Sequence, residues 1–186
     1  MRTPVILSVA AGALLTLWVG WGLYGIYSTE RPPYQVVEAL SPQVEIRQYE
    51  EQTWVTTAYE SDDAAFPVLA SYIFGGNQED ERIAMTAPVI TDSAMAFILP
   101  GTLSQSTAPA PDGQAVDFVT VPARKLATLQ FSWWTPPSRV EQKTAELLRL
   151  LRQENVATTG QPFLMRYNDP WTPPFLRRNE VAIEVL

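Results

Sequence analysis

The sequence has no cysteine and no histidine among its 186 residues. Without cysteine no disulfide framework exists, and its absence is silent on compartment. Without either residue, zinc sites built on thiolate or imidazole are excluded, as are Ser-His and Cys-His catalytic arrangements. Basic residues are also scarce, with 13 Lys and Arg against 20 Asp and Glu. A nucleic-acid surface needs a basic stripe to neutralise phosphates, and this balance argues against one. The length suits one domain with a core of ordinary size.

Charge is missing altogether from residues 5–27, a run of 23 positions. A helix of that length reaches roughly 34 Å, enough to cross a bilayer core of about 30 Å. Trp18, Trp21, Tyr24 and Tyr27 crowd its second half, where an interfacial aromatic belt lies in membrane helices. The run is longer than a signal-peptide core, and no Ala-x-Ala site follows it, so it reads as a retained anchor rather than a cleaved signal. Arg2 precedes it and Glu30 and Arg31 cancel after it, which places the domain on the non-cytoplasmic side. Ser8, Gly12, Thr16 and Gly20 form a small-xxx-small face that suggests a homodimer. Residues 1–33 are therefore expected to be a transmembrane anchor and linker, and residues 34–186 the domain proper. Without Arg2, Glu30 and Arg31, 11 basic and 19 acidic residues leave a formal charge of −8. That suits solution better than an anionic lipid surface.

From residue 34 the pattern is mostly that of strands. Residues 34–40, 44–49 and 54–59 read as strands, the last two paired through a short turn. Ser61, Asp62 and Asp63 offer N-caps for a helix carrying Phe66, Leu69, Ala70 and Ile73. Pro67 belongs in the first turn, which sets the start near Ala64, and Gly75 and Gly76 stop the helix. Residues 83–91 and 94–99 follow as strands. Pro88 has no N–H for a ladder, so the first of these belongs at an edge or bulge, a common rim for a pocket. Residues 100–114 form a long Pro/Ser/Thr/Gly loop, mobile or functional as a lid.

The order of the first half then returns. Strands at 116–121 and 125–131 precede a helix over 139–153, with Val140, Thr144, Leu147, Leu148 and Leu151 on its buried face. At an offset of 72, Val44, Ile46, Trp54 and Tyr59 fall on Val116, Phe118, Leu126 and Phe131. This reads as a duplicated β-β-α unit. Strands at 161–167 and 180–185, separated by a Pro-rich turn, end the chain. The expected class is α+β: a twisted antiparallel sheet or open barrel from two pseudo-symmetric halves, two helices against it, and a concave ligand surface between the halves.

Five segments carry a family resemblance. They are residues 44–55, Tyr72-Ile73-Phe74-Gly75-Gly76-Asn77, Ile83-Ala84-Met85-Thr86-Ala87-Pro88-Val89, Arg166-Tyr167-Asn168-Asp169-Pro170 and Arg177-Arg178-Asn179-Glu180-Val181. Together they resemble the SOUL haem-binding family. The resemblance implies a twisted, barrel-like α+β fold, similar to that of gyrase-inhibitor-like effector-binding domains. It also implies haem or another tetrapyrrole as ligand in a shallow hydrophobic cleft, without catalysis. With no histidine, the mode that implies is apolar contact plus basic residues near the propionates, with axial ligation left to Met or Tyr.

Five residues are candidates for the site. Met85 either lines the cleft or fills a core gap. Tyr72 and Ile73, with Phe74 beside them, either face the ligand or pack the helix end. Arg82 is either a propionate partner or a solvated charge. Arg177 either pairs a ligand carboxylate or ties down the terminal segment. Trp133, Trp134 and Trp171 offer a stacking wall, a partner contact or loop packing. Two other functions are open. One is a small-molecule hydrolase using a cleft carboxylate such as Glu38, Glu45, Glu60 or Glu180. The other is an interaction module that docks through the Pro-rich loops.

Overall fold

The computed structural model describes residues 3–113 and 115–186, with side chains from Gly12 onward. Helix α1 (Thr3–Ser28) leads into β1 (Tyr34–Ser41), β2 (Val44–Tyr49), β3 (Gln52–Ala58) and α2 (Asp62–Ile73). Then come β4 (Val89–Thr91), β5 (Ala94–Ile98), β6 (Asp117–Val121), β7 (Arg124–Phe131) and α3 (Pro137–Gln153). The chain ends with β8 (Thr158–Arg166), a 3₁₀ turn at Pro174–Leu176 and β9 (Asn179–Val185). The strands form one open sheet in the order β1-β2-β7-β9-β8-β4-β5-β3-β6. Each neighbouring pair is antiparallel.

The duplication is written into that order. Exchanging β2 with β6, β3 with β7, β4 with β8 and β5 with β9 reproduces the run from β2 to β6. The register agrees: Tyr49↔Arg124 and Gln52↔Val121 interchange under the offset of 72. β2 and β3 do not form the expected hairpin. β2 pairs with β1 and β7, and β3 with β5 and β6. The two halves exchange strands, so each first strand finds its partner in the other half.

Each half buries its helix. Leu147 and Leu151 of α3 pack on Val44, Ile46, Leu129, Val181 and Ile183. Leu69, Tyr72 and Ile73 of α2 pack on Val55, Met95 and Phe97. Helix α2 starts at Asp62, two residues before the expected Ala64. Ser61 Oγ accepts from Ala64 N at 3.2 Å and fixes the start there. Pro67 consequently sits in the second turn, on an exposed face.

The expected strand at 83–91 is mostly irregular. Only Val89–Thr91 joins the sheet, after a cis Ala87–Pro88 bond, and Thr86 makes an isolated bridge to Glu30. Residues 83–88 are held by other means: Ile83 N donates to Ile73 O (2.8 Å), Thr86 Oγ1 to Ile98 O, and Ala87 N to Glu30 O (2.9 Å). The expected lid at 100–114 is pinned in its described part. Tyr72 OH donates to Pro109 O (2.9 Å), and Gln78 N donates to Ala110 O (2.9 Å).

The expected transmembrane helix is overturned. Helix α1 forms, but among the described residues no helix is long and apolar enough to cross a membrane. Residues 12–28 carry four glycines. Gly12, Gly20, Gly22 and Gly25 dilute their apolar character. One flank is also spent on the domain, where Trp18 Nε1 donates to Trp171 O at 2.7 Å. The expected orientation of the domain rested on that span. Of the small-residue face, Ser8 lies outside the described side chains, and Thr16 Oγ1 bonds its own helix at Gly12 O (2.9 Å).

Candidate functional site

The surface between the two halves is not a cleft. The space near the pseudo-axis, lined by Tyr49, Gln52, Val121, Arg124 and Phe163, amounts to about 10 Å³. That is room for roughly one water. Ile90, Ile98, Leu126 and Met165 fill the rest. The open cleft lies to one side, against α2, with a volume of about 610 Å³. Volumes of roughly 300–1,000 Å³ are usual for small-molecule sites.

Several pieces of chain build it. Helix α2 contributes Asp62, Asp63, Phe66 and Pro67, with Phe74 just beyond its end. Ala65, Leu69, Tyr72 and Ile73 are buried against the sheet, and Phe66, at the edge of that stripe, stays 40% exposed. Phe66 keeps its edge contact with Phe97, at 5.3 Å between centroids. The irregular segment adds Met85, Thr86 and Ala87, and Met95 lies in the sheet behind. The end of β8 adds Arg166, Tyr167, Asn168 and Asp169, Trp134 stands opposite, and α1 brings Gly25.

The turn after β8 is rigid. Asp169 Oδ1 accepts from Trp171 N (2.7 Å) and Thr172 N (2.9 Å). Arg177 Nε donates to Thr172 O (2.9 Å), and its Nη2 to Pro170 O. The Arg177 guanidinium stacks on Trp134 at 4.1 Å. Burial pulls its pKa below the ordinary arginine value, with Asp169 opposing. Across the cleft Arg166 forks onto Asp62, with Nη2 to Oδ1 at 2.7 Å, and reaches Thr91 Oγ1 at 2.9 Å. The hydrogen bond from Arg166 is the main cause holding the Asp62 carboxyl below its usual range, and burial opposes it.

Beneath Tyr167 lies a buried ion cluster. Glu180 accepts from Arg47 Nη1 (2.8 Å), Arg47 Nη2 (3.1 Å), Arg178 Nε (2.9 Å) and Tyr167 OH (2.8 Å). Arg47 Nε turns to Glu45 at 2.7 Å. Burial pushes the Glu180 carboxyl up, but the two guanidiniums and the phenol outweigh it and the net shift is downward. Both arginines are raised despite their burial. The same burial pushes the Tyr167 phenol well up.

Of the five residues singled out in the sequence, the fold brings Met85 and Arg177 to the cleft. Tyr72 and Ile73 lie behind it in the core, 0% and 2% exposed. Burial, with Glu79 and Glu81 nearby, pushes the Tyr72 phenol up to about 12. Arg82 is exposed, bridges Phe74 and lines neither cavity. Sequence reasoning missed Phe66, the Asp62–Arg166 pair and the contribution of α1. Phe66 gave no separate signal, since at helical spacing it falls on the Leu69–Ile73 stripe. Among the described residues, no group of three or more His, Cys, Asp or Glu is placed to hold a metal ion.

An antiparallel sheet with helices α2 and α3 packed against it and a lateral cleft defines an α+β architecture. The chain belongs to the SOUL heme-binding protein family, whose sequence model matches residues 29–184. It is 27% identical over 191 aligned positions to heme-binding protein 2 of Mus musculus, covering 83% of this chain and 89% of that protein. It is 36% identical over 91 positions to heme-binding protein 2 of Homo sapiens, covering 43% and 42%. Both relatives are named as binding proteins rather than enzymes. Among solved structures, the EcmrR C-terminal domain superposes with a TM-score of 0.55 at 12% identity, covering 82% of this chain and 98% of that one. A hydrolase from Listeria innocua superposes with a TM-score of 0.52 at 13% identity, covering 80% and 94%. These two likenesses establish the fold alone.

Proposed function

We propose that the chain binds haem or another tetrapyrrole in the lateral cleft, as a carrier, buffer or sensor without catalytic turnover. The observation that carries this reading is the cleft on the family's signature segment: about 610 Å³, with Met85 and Ala87 in its wall. The residues fit such a ligand. Phe66, Phe74, Trp134, Met85 and Val89 offer flat or soft apolar surface to a planar macrocycle. Arg177 is fixed by its turn through Nε and Nη2, which leaves Nη1 for a ligand carboxylate. Arg166 is already neutralised by Asp62. Bound haem would supply a redox-active iron, and Met85 is the wall residue we assign to face it.

None of the four glutamates named for the hydrolase reading lines the cleft. Among the strand glutamates it named, Glu38 and Glu60 are exposed, and Glu45 bonds Arg47. Glu180 is buried, but its pKa is lowered, it is fully occupied, and it does not line the cleft. A general base for neutral pH needs a raised value.

The test is a hemin titration of the full chain, followed by the Soret band and tryptophan quenching, with Met85→Ala alongside. Saturation at one site, weakened in the variant, is expected. No saturation up to micromolar hemin, or binding indifferent to Met85, refutes the reading.

A further inference from the structure

We infer that helix α1, which lies outside the family domain, is a structural wall of the ligand cleft, and that Gly25 is the residue through which it limits what the cleft accepts. The inference rests on the cleft being the ligand site, as proposed above. The matched family region starts at residue 29, whereas α1 spans Thr3–Ser28. Gly25 of α1 and Thr29 just after it nevertheless line the same cleft as Met85, Trp134 and Arg177.

Contacts along the helix explain how it is held there. Trp18 Nε1 donates to Trp171 O at 2.7 Å. Four residues on, Gly22 lies so close to the Pro-rich turn that a Cβ would stand 2.7 Å from Pro173 Cδ, with Thr172 and Leu176 also in contact. No side chain larger than hydrogen fits there without displacing one partner. At Gly25 a Cβ would stand 3.4 Å from Asp169 Oδ2, a tight but tolerable approach, so a longer side chain enters the cleft rather than the turn. Gly12 and Gly20 are different, with nothing within 4 Å. The end of the helix is tied as well. Arg31 Nη2 donates to Ile26 O (3.0 Å), its guanidinium lies over Tyr167 at 5.5 Å, and Glu30 O accepts Ala87 N at 2.9 Å. The glycines thus divide by function: Gly22 permits docking, Gly25 leaves the cleft open, and Gly12 and Gly20 do neither.

Three substitutions in the full chain separate these roles. Gly25→Leu should weaken hemin binding about tenfold or more by occupying the cleft, while Gly20→Leu should change it by less than about twofold. Leucine is the better helix former, so neither change unmakes α1. A ligand-free readout accompanies the titration. The chain has no cysteine, so Gly25→Cys and Gly20→Cys each introduce a sole thiol. The thiol at position 25 should react with a bulky maleimide several-fold more slowly, and hemin should slow it further. Equal rates at the two positions overturn the docking of α1. Slow reaction at 25 with wild-type affinity in Gly25→Leu overturns the wall. A parallel titration with the apolar dye anilinonaphthalene sulfonate keeps this inference apart from the haem reading. A wild type that ignores hemin but binds the dye, with Gly25→Leu abolishing that binding, refutes haem and retains α1 as a wall. Dye binding unaffected by Gly25→Leu refutes α1.

Discussion

Replacing Glu180 tests whether the buried ion cluster holds β2, β8 and β9 together. Glu180 is 0% exposed and Arg47 3%. The carboxylate takes four donors, two of them from Arg47 as a fork. Glu180→Ala leaves the Arg47 guanidinium with Glu45 as its one remaining carboxylate and takes away the carboxylate that accepts from the Tyr167 hydroxyl. Removing one partner of a buried pair costs about 3–5 kcal/mol. For a domain of this size that lowers Tm by roughly 10 °C or more. Glu184→Gln is the internal control. It lies four residues along β9, and its contact with Arg124 is 3.5 Å long and 40% exposed on the carboxylate side. Its loss should cost less than about 1 kcal/mol. Urea unfolding followed by tryptophan fluorescence measures both. The pH dependence has a fixed sign. The folded pKa of Glu180 is lowered, so its stabilisation is complete above the unfolded value of about 4.3 and is lost as pH falls through the folded value. The gap between wild type and Glu180→Gln should therefore be widest near neutrality and narrow below about pH 4. A Glu180→Ala loss no larger than that of Glu184→Gln, or a gap that widens in acid, would refute the reasoning.

Three further outcomes are expected. Tyr72→Phe removes the 2.9 Å bond to Pro109 O and should cost about 1–2 kcal/mol, with faster proteolysis of the 100–113 loop as the second sign. Asp62→Asn breaks the Arg166 fork, whose carboxylate is 48% exposed, so about 1 kcal/mol or less is lost at pH 7. Because the Asp62 pKa is lowered, that difference should vanish as pH drops below about 4, which denaturation at stepped pH will show. Arg177→Gln should weaken hemin about five- to tenfold and leave a porphyrin dimethyl ester unaffected; equal loss for both would assign Arg177 to holding its turn.

Strand positions were legible because alternation is a local signal. Val44, Glu45, Ile46 and Arg47 alternate apolar with polar, and the run is a strand over the expected limits, Val44–Tyr49. Pairing was not legible, since each half lends its first strand to the other and no local pattern records that exchange. The duplication was readable at an offset of 72 because the paired strands keep matching core positions. Residues 83–88 misled for a physical reason. Their β-branched and apolar content signals burial, which Ile83 and Thr86 have, but burial there is satisfied by side-chain and loop hydrogen bonds rather than a ladder. Met85 and Arg177 were found through the family's segments. Phe66 was absorbed into the helix core because its stripe neighbours are buried.

The cleft lies where the two halves stop being equivalent. Under the twofold, β4 corresponds to β8, yet β4 has three residues and β8 nine. In the second half the long strand pairs on both sides and α3, 17 residues long, covers it with Leu147 and Leu151. In the first half α2 has only 12 residues, and the chain before β4 never enters the sheet. That leaves Met85 and Ala87 beside an uncovered flank of α2, from which Phe66 and Phe74 project. The uncovered flank is bounded by parts with no counterpart in the duplication: the turn locked by Asp169 and Arg177, and the last turns of α1. Shortening one strand opens the space, and the rigid turn fixes a guanidinium at its edge. The proposed ligand cleft of this chain therefore lies at the break in symmetry, and the segments that border the break bound it.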